Sequence, residues 1–459
     1  MRQSLASWRY FERTHHHMPP KFSSLPKPAD FATFAPQMNS QYDVAIIGGG
    51  PGGSTAATLL ARHGRRVIVL EREKFPRFHI GESLLPYTME TFERLGLRAK
   101  LDAMCLPKIG AHITTACGKK TSFHFRNGFR LKHSRAYNVC RADFDQVMLQ
   151  HAAENGAEVR EETTVKSVAF DADGATLQLA PREGAEATIR ASYVLDCSGR
   201  NSVIGQQFQL RQTYPDLKKF SVFAHYENVQ SDGETDGTVV RLIRAEDRWF
   251  WMIPVSPTVT SVGVVMEVDS FKQLKLMPEA VLEQSIHGQP VIAEQMRAAR
   301  RVSPVHSAGD YSYRHSEFAG ERWLLAGDAA GFIDPIFSTG VFIAIMSGER
   351  AADTLHAVLE KPARREVLFA RYARRLNRVM DMYLDFVRGW YQHEFIEVLS
   401  SPTQHLQLAP AVNAVLAGNI AASFAIWWRM KLFYLVVYLQ RFAALVPRLS
   451  LKPPATTAS

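Results

Sequence analysis

YDVAIIGGGPGGSTAATLLARHGRRVIVLEREKFPRFHIGESLLP, residues 42–86, decides the fold. Residues 44–47 form a short apolar run, as in a strand buried on both faces. Gly48, Gly50 and Gly53 follow as G-x-G-x-x-G at the turn into a helix. Gly48 permits the tight turn, Gly50 lets the backbone approach a pyrophosphate, and Gly53 lets the helix pack close to the strand. A helix beginning here presents unpaired N–H groups and a partial positive charge to phosphates. Residues 67–70 are the second strand. Glu71, 18 residues after Gly53, sits where a carboxylate accepts from a ribose hydroxyl. Strand, turn, helix, strand and acid together predict dinucleotide binding. A glycine-rich structural turn in another α/β fold is the alternative.

The 459-residue chain is long enough for two or three domains. Its 46% hydrophobic and 22% charged residues are ordinary for a globular protein. Cys105, Cys117, Cys140 and Cys197 show no C-x-x-C spacing. This points to reduced thiols in a cytoplasmic protein, with no disulfide framework and no metal site. No apolar run reaches the roughly 18 residues of a membrane span. The net charge of +9 is terminal: residues 1–40 carry +3, and residues 361–459 carry thirteen Lys/Arg against five Asp/Glu. The middle is slightly acidic, which argues against a nucleic-acid partner. Basic C-terminal helices can attract acidic proteins or make a peripheral membrane contact, with a solvated face as the alternative.

Residues 1–40 lack periodicity and read as a disordered extension. Helices are expected over 87–95 and 141–155, and strands over 157–170 and 187–194, separated by the turns DADG and PREGAE. Residues 220–226, 238–243, 249–254 and 261–268 predict an antiparallel sheet. WLLA, residues 323–326, is another strand, closed by Gly327–Asp328. Asp328 can accept from the hydroxyls of a ribityl chain, or can cap a helix. A helix is expected over 339–356, and residues 361–446 read as mostly helical with a loop near 400–410.

The glycine-rich start combined with the distant Gly327–Asp328 resembles the FAD-dependent monooxygenase superfamily over residues 42–355. FIDPIFSTG at 332–340 matches F-x-x-P-x-x-S-x-G, and WFWMIP at 249–254 matches W-x-W-x-I-P. Both are marks of flavin-dependent halogenases. KFPRFHIGESLLP at 74–86 and KIGA at 108–111 are similar to the phenol- and pyrrole-acting branch. The resemblance implies a Rossmann-type FAD domain built from separated segments, 42–210 and 305–355. It also implies an antiparallel-sheet substrate domain over 211–304 and a helical region over 356–459.

The same resemblance implies that reduced FAD and oxygen convert chloride or bromide to hypohalous acid, which then halogenates an electron-rich ring. Gly48, Gly49, Gly50, Gly52, Gly53, Glu71, Arg72, Glu82, Arg141, Asp328 and Val341 would bind the cofactor. Arg141 reads equally as a phosphate contact or a helix-start salt bridge, and Ser83 would line the flavin. Backbone N–H groups at Thr339 and Gly340 would hold the halide. Trp249, Trp251, Pro335 and Ser338 would wall the site and keep the substrate ring from the flavin. Lys108 would receive the oxidant, by hydrogen bond or as a chloramine.

Tryptophan-acting members carry a glutamate directly before the motif serine. Here that residue is Phe337, which favours a phenol or pyrrole, free or on a carrier protein. Glu90, His112 and His133 are open candidates for a base. The hydroxylases' D-G-x-x-S-x-x-R is replaced by DCSGRNSVIG, and no second G-x-G-x-x-G serves a nicotinamide, so a separate reductase would supply reduced FAD. A related monooxygenase or reductase without halogenation is the rival. The apolar stretch 425–449 would pack on the core, with a membrane contact, a cover over the substrate entrance or a carrier-docking face as alternatives.

Overall fold

The computed structural model describes residues 41–231, 238–309, 312–401, 405–419 and 424–452. The disordered extension expected over 1–40 lies outside the described residues. Tyr42–Ile47 is the middle of a sheet, with Val67–Leu70 on one side and Ala187–Asp196 on the other, all parallel. Every residue of Val67–Leu70 is buried, which is why the strand reads as uninterrupted VIVL. Ala187–Asp196 divides its other edge. Its first half pairs antiparallel with Ala175–Pro181, and its last three residues pair parallel with Trp323–Leu325. Ala175–Pro181 lies between the two turn clusters, where the short ATLQLA segment gave no strong strand signal.

The register brings Ile47, Leu70, Asp196 and Leu325 level at one end of the sheet. The turns that follow those four residues therefore converge, so a crevice opens at the carboxyl ends of the strands. The expected separated segments meet here.

The helix Pro51–Arg62 crosses Thr339–Glu360 with almost no side chain between them. A Cβ on Gly348 would lie 2.2 Å from the Gly52 carbonyl oxygen, and one on Gly52 would lie 2.9 Å from that of Ala344. Ser347 Oγ accepts from the Gly327 N–H at 2.8 Å, tying the long helix to the Gly327–Asp328 turn.

The second sheet runs Arg300–Arg301, Lys219–Glu227, Val259–Glu267, Arg248–Pro254, Val239–Arg244, Gly110–Thr115, Lys120–His124, with His306–Gly309 also on Lys219–Glu227. It is antiparallel except where Val239–Arg244 meets Gly110–Thr115. Gly110–Thr115 and Lys120–His124 thus join this sheet from within the stretch 42–210. Nothing local in these stretches names that pairing, because sequence order does not reveal which sheet edge a strand finds.

Strand alternation sorts the two faces. Phe250, Met252, Val262 and Val264 pack under Val281, Leu282 and Ile286 in their own core. Trp249, Trp251 and Val265 belong instead to the main core beside the first sheet. The W-x-W spacing therefore places both indoles toward the crevice. The C-terminal region is helical, as expected: Arg365–Trp390, His393–Leu399, Leu408–Leu416 and Phe424–Gln440. Phe424–Gln440 buries Ile426, Phe433 and Val437, so packing holds on one face, while Phe424, Trp427, Leu435 and Leu439 stay exposed. Among the described residues no helix is long and apolar enough to cross a membrane.

Candidate active site

A cavity of about 1210 Å³ fills the crevice. Its walls include Gly48, Gly50, Gly52, Glu71, Arg72, Glu82, Arg141, Asp328, Gly340 and Val341. Trp249, Trp251, Pro335 and Ser338 line it as well. Gly49, Gly53 and Thr339 do not line it. Gly53 is needed for packing, since a Cβ there would lie 2.0 Å from the Gly48 carbonyl oxygen. Gly49 instead donates its N–H to Glu71 Oε2 at 2.7 Å, and Glu71 Oε1 accepts from the Glu73 N–H at 2.9 Å. These bonds aim the carboxylate and leave it acceptor capacity toward the cavity.

The cavity walls fit a dinucleotide. A Cβ on Gly50 would project into open space, with only the Arg77 guanidinium 3.7 Å away. That gap, at a helix N-terminus, suits a pyrophosphate. Arg77 itself was not anticipated. Its Nη1 donates to the buried Asp145 at 3.0 Å, and Arg141 grips the same carboxylate at 2.8 Å. Arg141 is thus salt-bridged, as one of its two readings expects, and also stands in the cavity wall. The nearby Arg141 charge, with burial, lowers His79 to about 4 and keeps it neutral. Asp328 caps no helix. Burial raises its carboxyl to about 6, against the pull of Arg141 and Arg200. One oxygen of Glu82 bonds to His225 Nε2 at 2.5 Å, and the other is buried without a protein partner.

Asp196, in the DCSGR turn, accepts from Ser198 N and Oγ, Ser202 Oγ and Ile204 N, at 2.6–2.9 Å. It shapes the backbone that stands against Gly48, where a Cβ would lie 2.4 Å from the Cys197 carbonyl oxygen.

Lys108 stands outside the large cavity. It lines a separate chamber of about 40 Å³ with Ile113, Phe123, Phe125, Asn413 and Leu416. Val240, Leu242, Ile336 and Ser338 form the wall shared by the two spaces. Lys108 is 3% exposed, and desolvation lowers it to about 7. Its ammonium donates to Ser83 Oγ at 2.7 Å and to the Leu84 carbonyl at 3.0 Å. Ser338, at φ +57°, turns the chain into the helix Thr339–Glu360 and donates to Ser83 Oγ at 3.1 Å. The Thr339 hydroxyl is buried without a partner.

The open candidates for a base lie elsewhere. Glu90 pairs with Lys132 at the surface, and His133 faces Glu93 at 3.8 Å. His112 alternates with Ala111 and Ile113, which line the chamber, so its side chain takes the opposite face of the strand.

A buried chain of contacts supports the tryptophan wall. Trp249 Nε1 donates to Tyr391 Oη at 2.9 Å, and Tyr391 donates to Asp334 Oδ2 at 2.7 Å. Asp334 also accepts from the Ile336 N–H, holding the Pro335–Phe337 turn. Sequence reasoning passed over Asp334, although it sits inside F-x-x-P-x-x-S-x-G, because its partner is 57 residues away.

Burial raises Asp334 to about 6. The folded protein therefore binds more protons there than the unfolded chain between about pH 4 and 6, and stability falls as pH rises through that window. Asp334→Asn is expected to reduce that fall relative to wild type, as checked by thermal melts from pH 4 to 7.

Comparison with known proteins agrees with this geometry. An FAD binding domain family matches residues 41–386. A 1H-pyrrole-2-carbonyl-[peptidyl-carrier protein] chlorinase of Pseudomonas fluorescens is 31% identical over 375 residues, covering 76% of this chain and 84% of that one. The solved flavin-dependent brominase Bmp2 superposes with a TM-score of 0.77 at 28% identity, over 88% of this chain and 100% of its own. A flavoprotein/dehydrogenase from Cytophaga hutchinsonii reaches 0.78 at 26% identity, over 86% and 98%. With its cofactor crevice, both halogenase motifs and this match to a chlorinase along most of either chain, the protein belongs to the flavin-dependent halogenases, enzymes that use FAD and a halide co-substrate.

Proposed function

We propose that this halogenase modifies an electron-rich phenolic or pyrrolic ring, presented on a carrier protein, by way of hypohalous acid released toward Lys108. The observation that carries the reading is the buried lysine in a small chamber that shares a wall with the cofactor cavity. Bound, reduced FAD supplies, with oxygen, the two-electron oxidation of chloride or bromide.

The chain's residues divide the remaining work. Gly48, Gly50 and Gly52, with Arg77 and Arg141, hold the diphosphate. Glu71 takes the ribose, Asp328 the ribityl chain, and Arg72, Glu82 and Val341 line the rest. Gly49 and Gly53 act through the backbone. Gly340, in the cavity wall at the start of a 22-residue helix, offers the halide its N–H group and a weak positive potential, and Thr339, behind the wall, acts only through the same helix start. Trp249, Trp251 and Pro335 keep an aromatic substrate away from the flavin, and Ser338 shapes the turn. Lys108 then orients the oxidant or carries its halogen. A separate reductase delivers reduced FAD.

Phe337 supports the substrate class. It replaces the acidic residue of tryptophan-acting relatives and packs edge-on against Phe386 and Trp390. A ring halogenated here must already be nucleophilic. The chlorinase of Pseudomonas fluorescens and a brominase of Pseudoalteromonas luteoviolacea act on pyrrole-2-carbonyl groups on a peptidyl-carrier protein, which makes such thioesters the first substrates to test.

The test supplies reduced FAD, oxygen and chloride or bromide, with carrier-bound pyrrole-2-carbonyl, free pyrroles, phenols and free tryptophan, read by mass spectrometry. A halide-dependent mass gain on the carrier-bound ring is expected. Halide-independent hydroxylation, or preferential turnover of free tryptophan, would overturn the reading.

A further inference from the structure

We infer that Ser83 is a positioning residue for Lys108, holding its side-chain nitrogen at the wall of the halide turn and linking it by hydroxyls to the cofactor cavity. The inference builds on the role given to Lys108 above, but its geometry is independent of the substrate. The segment Gly81–Glu82–Ser83 runs beside the strand Ala136–Asn138, which in turn pairs with Leu106–Lys108. The Leu84 N–H donates to Tyr137 O at 2.9 Å, and the Val139 N–H donates to Glu82 O at 2.8 Å, fixing the register. Directly opposed residues share a face, so Ser83 and Lys108 fall on one side of this small sheet.

Ser83 is 4% exposed, yet it lines the large cavity, whereas Lys108 lines the inner chamber. The hydroxyl therefore spans the wall between them. Its oxygen accepts from Lys108 at 2.7 Å and from Ser338 at 3.1 Å, which occupies both lone pairs and leaves its own proton to be donated. When the ammonium gives a proton to Ser83 Oγ, the Ser83 proton can leave toward the cofactor cavity. Charge and atoms balance: Lys108 becomes neutral, Ser83 ends as a hydroxyl, and the proton with its charge passes to solvent water in the cofactor cavity. A carbonyl in the same place, such as that of Leu84, accepts but passes nothing on.

Ser83→Ala and Ser83→Thr test the assignment, with Lys108 acetylation by acetic anhydride followed across pH by peptide mass spectrometry. Losing an acceptor that stabilises the ammonium should move the Lys108 labelling midpoint about one unit lower in pH. Halogenated product per reduced FAD should fall about tenfold or more, and Ser83→Thr should restore both. FAD affinity is measured alongside by fluorescence quenching. An unchanged labelling profile in Ser83→Ala overturns the inference. Weakened FAD binding with unchanged labelling also overturns it and returns Ser83 to the cofactor pocket. If the labelling midpoint moves but Lys108→Ala still halogenates, the positioning stands and the functional reading of Lys108 fails.

Discussion

Replacing Lys108 with alanine is expected to lower halogenation on the order of 10³-fold while oxygen consumption by the reduced enzyme continues. The separation arises from the architecture. Lys108 lies in its own chamber, divided from the cofactor cavity by Val240, Leu242, Ile336 and Ser338, so FAD binding and oxidant formation are expected not to depend on its ammonium. Product and peroxide measured in the same reaction check this: lost halogenation with sustained peroxide release is the expected pair.

The lysine's ionisation adds a pH signature. With the side chain lowered to about 7 by desolvation, wild-type halogenation should show a limb near neutral pH. Stability carries a sign as well. Between pH 7 and 10 the folded state binds fewer protons at Lys108 than the unfolded chain, so this residue makes the protein more stable as pH rises. Lys108→Met removes a buried charge and should stabilise the fold more at pH 6 than at pH 10, measured by urea unfolding at both.

Gly348→Val should be the most damaging change far from the chemistry. Its Cβ would stand 2.2 Å from the Gly52 carbonyl oxygen, and both groups belong to helix backbones that cannot yield as a side-chain tip can. Forcing Pro51–Arg62 and Thr339–Glu360 apart should cost about 3 kcal/mol or more. It should also shift both helix N-termini, one at the diphosphate site and one at the halide turn. Calorimetry and FAD titration check the two effects, and a variant with wild-type melting and FAD affinity would contradict the crossing.

The sequence was most legible where function depends on backbone and local spacing. Gly48 and Gly53 declare a turn and a close approach that few other residues tolerate, and the run VIVL declares a buried parallel strand. W-x-W places both indoles on one face because strand side chains alternate. The placement of Gly110–Thr115 was hidden because strand pairing is a long-range event and nothing local names the partner edge. Arg77, Asp145, Asp334 and Tyr391 were hidden for a related reason: each is ordinary in its own stretch and gains meaning from a residue far along the chain.

The amino-acid sequence by itself determined dinucleotide binding and displayed the halogenase motifs, since these rest on residue type at short spacing, and the resemblance those motifs carry is what named FAD and singled out Lys108. Only the tertiary structure decided that Lys108 occupies a chamber apart from the cofactor, that Ser83 faces it, and that two helices meet at Gly52 and Gly348. Those facts depend on packing between segments distant in sequence, where burial sets the charge a lysine can keep and the absence of a side chain sets how closely two helices approach.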